Sequence, residues 1–278
     1  MRSRTKSTAA ALAATALLGG LTACGPSGGA RAAQSASPAA SPGSSAPASA
    51  SPAAQGGGRL ADRSGQEVLT EAYEATRKAE SAHVTATVEQ EGKPMRIDLS
   101  LDKKGNCNGA IRMDGMGKLD VIKSSEFVHF RGDAAYWRGA AKMKHAPQKQ
   151  TDQMVAMLAD RWVRVPASDP RAAPMTGSCD LTKLTGDFGT PSPLARKGDT
   201  ATVAGTPALA VTSPSKRGTQ TDYVATQGKP YILKSTVSGD TTGEALFSAF
   251  DVPVDTTSPK DPDVLDISKL GGPAGESI

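Results

Sequence analysis

"HVTATVEQEGKPMRIDLSLD", residues 83–102, decides the fold. Val84, Ala86 and Val88 alternate with Thr85, Thr87 and Glu89. Beyond a turn at Gly92, Met95, Ile97, Leu99 and Leu101 alternate with Arg96, Asp98, Ser100 and Asp102. A period of two puts all the apolar side chains on one side of a pleated strand and all the polar ones on the other. A helix would scatter the same residues around its axis. Two such runs joined at a glycine predict an antiparallel hairpin with one greasy face and one wet face.

The pattern extends in both directions. Upstream, Ser64 followed three residues later by Glu67 has the form of a capping box. Val68, Leu69, Ala72, Tyr73, Thr76 and Ala79 then recur at helical spacing, predicting an amphipathic helix to about Ser81. Downstream, turn-separated runs at 108–113, 118–124, 127–132 and 135–138 read as further strands of a meander. Met154, Val155, Leu158 and Ala159 share one face of a helix expected over 148–160. "RWVRVP" (161–166) returns to extended chain, and "CDLTKL" (179–184) reads as a short helix entered through Asp180. From Ala201 the alternation resumes in "TATVAG", "PALAVTS", "TDYVATQG", "PYILKSTVSG" and "ALFSAFDVPV". Helix, many strands, helices, more strands: the order predicts an α+β fold. A single curved antiparallel β-sheet would wrap around a few helices, with an apolar cavity possible between them.

The N-terminal end has a different chemistry. Arg2, Arg4 and Lys6 precede a small-to-apolar run from Ala9 to Leu18, the size of a signal-peptide core and too short to span a bilayer. Leu21-Thr22-Ala23-Cys24 follows and resembles a bacterial lipobox, whose cysteine takes a diacylglyceryl group on sulfur. Two acyl chains hold a protein stably on a membrane where one does not. From Gly25 to Gly58 the chain is Ala, Ser, Pro, Gly and Gln with one charge, Arg31, a composition that cannot offset the entropy of ordering it. The expected organisation is therefore a signal peptide (1–23), a lipidated Cys24 with its tether (24–59) and one folded domain (60–278). The protein is expected to sit on the extracytoplasmic face of the cell membrane, held by lipid and not crossing it.

Charge excludes one class of partner. The chain carries a net charge of +4, and the leader's three cations account for all but one of those charges, leaving too little for a nucleic-acid-binding face. Beyond Cys24, two cysteines remain, Cys107 and Cys179. In an exported domain they read as one disulfide, worth roughly 4 kcal/mol on the chain-entropy model; two buried free thiols are the alternative. Catalytic signatures are missing. His83, His129 and His145 have no ligand-like spacing, and no nucleophile elbow, zinc-protease, phosphate-loop or dinucleotide motif occurs. Ser100–Lys103 and Ser213–Lys216 match S-x-x-K, but on a strand and after a proline turn, without companion motifs. Met143 and His145 before Met154 and Met157 make a soft-metal set of the kind Cu(I) takes, yet the helix stripe already accounts for Met154 and Met157. No metal, cofactor or enzymatic activity is expected, and the domain is expected to be a monomer.

Several stretches carry a resemblance: the lipobox and tether, "EAYEATRKAESAHVTATV", "FRGDAAYWRG", "DRWVRVP", "GKPYILKSTVSG" and "LFSAFDVPVDTTSP". Together they resemble the LppX/LprA/LprF/LprG family of bacterial lipoproteins over most of residues 60–260. The resemblance implies a LolA/LolB-like half-barrel that binds or carries a lipid or acylated glycolipid. On the apolar face of this chain the cavity would be lined by Met95, Ile97, Leu99, Leu101, Met113, Met154 and Leu158, methionine adapting to irregular acyl partners. The alternative function is a non-enzymatic envelope adaptor whose core is filled by protein.

Overall fold

The hairpin forms as the alternation requires, in a computed structural model that describes residues 60–267 apart from Ala61, Glu91, Ser178, Asp187, Arg217, Asp240, Thr241, Asp261 and Asp263. β1 (Ser81–Gln90) and β2 (Lys93–Asp102) pair antiparallel, with Val84 opposite Leu99 and Ala86 opposite Ile97; Gly92 takes the left-handed φ of +73° at the turn. β3 (Cys107–Met113), β4 (Gly117–Lys123) and β5 (Phe127–Gly132) continue the meander. β6 (Trp162–Pro166) adds to β5. The second run of alternation gives β7 (Arg196–Val203), β8 (Thr206–Ser215), β9 (Gly218–Ala225), β10 (Ile232–Gly239) and β11 (Gly243–Ser248). A short β12 (Val264–Asp266) completes one twelve-stranded sheet in the order β12-β6-β5-β4-β3-β2-β1-β11-β10-β9-β8-β7.

The sheet is open and curved, and every pairing is antiparallel except β12 on β6, which is parallel. The two meanders meet where β1 pairs with β11, Val84 facing Phe247 and Ala86 facing Ala245. Because opposed residues share a face, the register defines a helix-facing side. It carries Val84, Leu99, Gly109, Val121, Phe130 and Val163 in one row across β1 to β6.

Helices cover part of that side. α1 (Gly65–Lys78) starts at Ser64, whose hydroxyl accepts from the Glu67 amide at 3.3 Å while the Glu67 carboxylate accepts from the Ser64 amide at 2.7 Å. Its buried stripe, Val68, Leu69, Ala72, Tyr73 and Thr76, packs over β7 to β10. α2 (Ala134–Met143) and α3 (Gln148–Leu158) form a helical hairpin, with α2 against β4 and β5. After a 3₁₀ turn (Pro170–Ala172) come α4 (Ala173–Thr176) and α5 (Leu181–Gly186); α5 reaches α1 and β2. No helix among the described residues is long and apolar enough to cross a membrane.

One expected strand is a helix. Residues 135–138 lie in the first turns of α2, because the Asp133 carboxylate accepts from the Tyr136 amide at 2.7 Å and caps the segment. Four alternating residues are too few to separate a strand from an alanine-rich helix start. The cap also holds β4, since the other Asp133 oxygen accepts from the Lys118 amide at 2.9 Å. The signal peptide, Cys24 and the tether all lie outside the described residues.

Candidate functional site

Two rows of the helix-facing side behave differently. The row through Leu99 is core: Val84, Leu99, Val121, Phe130 and Val163 are all at most 4% exposed and cluster with Val68, Leu69 and Leu181. Leu101 is as deeply buried, beside Cys107. Toward the other end of the strands, cover thins. Ala86, Ile97, Ile111 and Ala245 are half-buried, the last three packing against the core. One row further, Val88, Met95 and Met113 stand directly opposite one another across β1, β2 and β3, all half-buried. Val237 on β10, opposite Gly243, extends the row to the other meander. The result is an apolar strip crossing five adjacent strands, from β10 to β3, that the helices leave partly open; on β4 the same rows end in the buried Leu119 and in Gly117 beneath the start of α2.

The seven positions expected to line a cavity thus fall into three places. Leu99 and Leu101 are in the packed core. Met95, Ile97 and Met113 lie together on the strip. Met154 and Leu158 are on α3, half-buried; Leu158 packs against the core, and its carbonyl accepts from the Trp137 indole at 3.2 Å. Met157, expected beside the apolar face, is 51% exposed, and Met143 is 66% exposed. Two of the open depressions among the described residues measure about 330 and 380 Å³. Polar side chains line the first, along α1; the second, mainly on the side of the sheet away from the helices, mixes charged and threonine side chains with Ala86, Ile97, Ala110 and Leu246.

The cysteines meet. Cys107 at the head of β3 and Cys179 just before α5 form a disulfide with a Cα–Cα distance of 5.3 Å across 72 residues, both nearly fully buried. The bond staples the helical segment of the chain to the central strands.

The polar clusters have structural explanations. On the far side of the sheet, His83 Nδ1 lies 3.0 Å from Ser100 Oγ and its Nε2 lies 3.4 Å from Asp98 Oδ1, a serine–histidine–aspartate set that spacing did not reveal because the residues are joined by cross-strand register. β1 and β2 are each paired on both flanks, so their backbone N–H groups are spent on the ladder and none is left to stabilise an oxyanion there. Lys103 does not serve Ser100; its ammonium donates to the Lys78 carbonyl at 3.1 Å. His129 is buried on β5, and His145 lies in the turn after α2 with φ +54°.

Under α1, the Tyr73 hydroxyl donates to the buried Asp222 carboxylate at 2.7 Å and Gln220 Nε2 donates at 2.9 Å. Burial pushes the Asp222 carboxyl above its usual range, with hydrogen bonds from Ser235, Tyr73 and Gln220 opposing that rise. The Tyr73 phenol is likewise pushed up, by burial first and by the Asp222 charge second. A closed network of this kind fixes helix to sheet.

No family model matches the chain, and no curated protein does. Among solved structures it is similar to LprF from Mycobacterium bovis, at 14% identity and a TM-score of 0.45, over 70% of this chain and 96% of LprF. It is also similar to the lipoprotein LppX of Mycobacterium tuberculosis, at 12% identity and a TM-score of 0.42, over 69% of this chain and 98% of LppX. A third, more distant likeness is to a putative outer membrane lipoprotein-sorting protein domain from Vibrio parahaemolyticus, at 8% identity and 0.21, over 69% of this chain and 95% of that one. The fold described above stands on this chain's own register.

Proposed function

We propose that the protein is a lipid-anchored lipoprotein of the extracytoplasmic membrane face that binds a lipid or acylated glycolipid against the open apolar strip. The observation that carries the reading is the strip itself, with Val88, Met95, Ile97, Ile111 and Met113 half-buried on the side of the sheet whose other rows are core. Five strands spaced by roughly 4.8 Å make the strip about 19 Å long. One leaflet's acyl chain reaches about 15 Å, half the hydrocarbon core, so a chain lies along it with room to spare. Flexible methionine side chains at its centre accommodate irregular chains. The lipobox sequence supports anchorage through Cys24, and the tether supports a domain lifted off the bilayer.

The deep burial of Leu99 and Leu101 favours a second reading, an envelope adaptor with a filled core. Organic extraction and native mass spectrometry of protein made in its own host separate the two. Co-purifying lipid, lost in a Met95→Asp/Met113→Asp variant that still folds, supports the carrier. A protein that carries no lipid and takes up none on incubation with acylated lipids supports the adaptor.

A further inference from the structure

The side of the sheet turned away from the helices holds an unbalanced charge. Arg96 on β2 stands directly opposite Arg112 on β3, and Arg112 directly opposite Lys118 on β4. Opposed side chains start with their Cβ atoms about 5 Å apart, and like charges so placed repel. The surrounding carboxylates are engaged elsewhere. Glu244 reaches Lys234 at 2.6 Å, Asp120 is held by Lys118 at 2.5 Å and Arg131 at 3.0 Å, and Asp98 faces His83. Among the described residues, neither Arg96 nor Arg112 has a carboxylate within ion-pair distance or a hydrogen-bond acceptor. Arg96 and Arg112 line the depression of about 380 Å³ together with Thr85, Thr87 and Lys118, and with Asp98 and Glu244, whose carboxylates face His83 and Lys234.

We infer that this depression is an anion site for a phosphoryl group, either free phosphate or a phosphate-bearing lipid headgroup. Two adjacent guanidiniums present planar forks that match tetrahedral oxyanions with paired, charge-assisted hydrogen bonds. Lys118, held by Asp120, borders the row, and the Thr85 and Thr87 hydroxyls supply neutral donors beside it. A bound dianion converts the Arg–Arg repulsion into a shared attraction. The concave wall raises the local potential above that of a flat basic patch. The site lies on the opposite side of the sheet from the apolar strip and does not depend on lipid occupying it.

The test uses the full chain with Cys24→Ser, so that no acyl anchor contributes to binding. Inorganic phosphate is titrated by calorimetry. Flotation is measured with phosphatidylglycerol–phosphatidylcholine vesicles against pure phosphatidylcholine. Arg96→Gln/Arg112→Gln should weaken binding roughly tenfold or more, as expected for the loss of charge-assisted hydrogen bonds. Arg138→Gln, on the exposed face of α2, should leave it unchanged. Thermal unfolding should show the double variant at least as stable as its parent without phosphate, because a repulsion has been removed. Saturable phosphate binding lost in the double variant supports a free or soluble phosphoryl ligand. Loss confined to phosphatidylglycerol vesicles supports a headgroup. No binding of either probe, or equal binding by parent and double variant, overturns the inference.

Discussion

Replacing Leu99 with Ala separates a packed core from a lipid-lined one at the position where they differ most. Leu99 is 1% exposed, central on β2, between Val84 on β1 and Gly109 on β3. Buried leucine-to-alanine changes cost about 2–5 kcal/mol, the upper end applying where neighbours cannot collapse into the void. Gly109 has no side chain to swing in. Its backbone, at φ +153°, is already pressed so close to Asp98 that a Cβ there would collide with the Asp98 carbonyl. The flanking strands are held by ladders on both sides, which limits relaxation further. We therefore expect about 4 kcal/mol, and with a shift of roughly 2–4 °C per kcal/mol for a domain of this size, a melting temperature lower by about 8–16 °C. Urea unfolding of the delipidated protein, followed by circular dichroism, gives the number. A loss under about 1.5 kcal/mol would refute the packed-core description of Leu99 and return that position to a ligand cavity. The companion change Met95→Ala, on the half-covered strip, should cost about 1 kcal/mol or less.

Cys24→Ser should shift the protein from the detergent-phase membrane fraction to the soluble one; unchanged partitioning removes the anchor from the proposed function. Cys107→Ser should lower stability by about 2–5 kcal/mol, and in the unreduced, denatured wild type neither Cys107 nor Cys179 should react with a thiol reagent. Two pH dependences of opposite sign are expected. The Asp222 carboxyl is raised from an ordinary 3.8 by burial, so its contribution is full below that value and is lost as pH rises through its folded pKa; Asp222→Asn should flatten this slope in urea midpoints measured upward from pH 3. Asp251 is held down to about 2 by hydrogen bonds from Lys229, the Glu80 amide and Tyr231. Its contribution is present above 3.8 and lost as pH falls toward 2, so Asp251→Asn should remove a loss of stability that the wild type shows in that window.

Much of the sheet was legible because its strands are one-sided. Where one face is core and the other wet, a period of two survives in the sequence, as it does from Val84 through Leu101. The helix at Ser64 was equally plain, its capping box and apolar stripe both local. Residues 135–138 were misread because a helix cap at Asp133 acts through a single hydrogen bond that leaves no periodic trace. β12 was invisible for another reason: three residues pair parallel to β6 across about a hundred positions of chain, and nothing local encodes such a contact. The candidate site followed the same division. Alternation placed Met95, Ile97, Leu99 and Leu101 on one face, but how far the helices extend over that face depends on tertiary packing. The pattern therefore gave no way to tell the covered Leu99 from the half-open Met95. The Arg96–Arg112 pair likewise exists only in the register between strands.

The seam between β1 and β11 bears on how the molecule is made. Each meander is built from consecutive strands, but the two are joined by pairing residues 83–88 with residues 243–248, across most of the chain. Local hairpins close quickly, whereas a loop of some 160 residues carries a larger entropic cost before any contact rewards it. The middle of the finished sheet should therefore pair later than the hairpins on either side of it. Until it does, β1 and β11 are both unprotected edges carrying Val84, Ala86, Leu246 and Phe247. Unpaired apolar edges of this kind recruit other chains. Aggregation of newly made protein should start at this central seam, even though in the native structure it is flanked by strands on both sides.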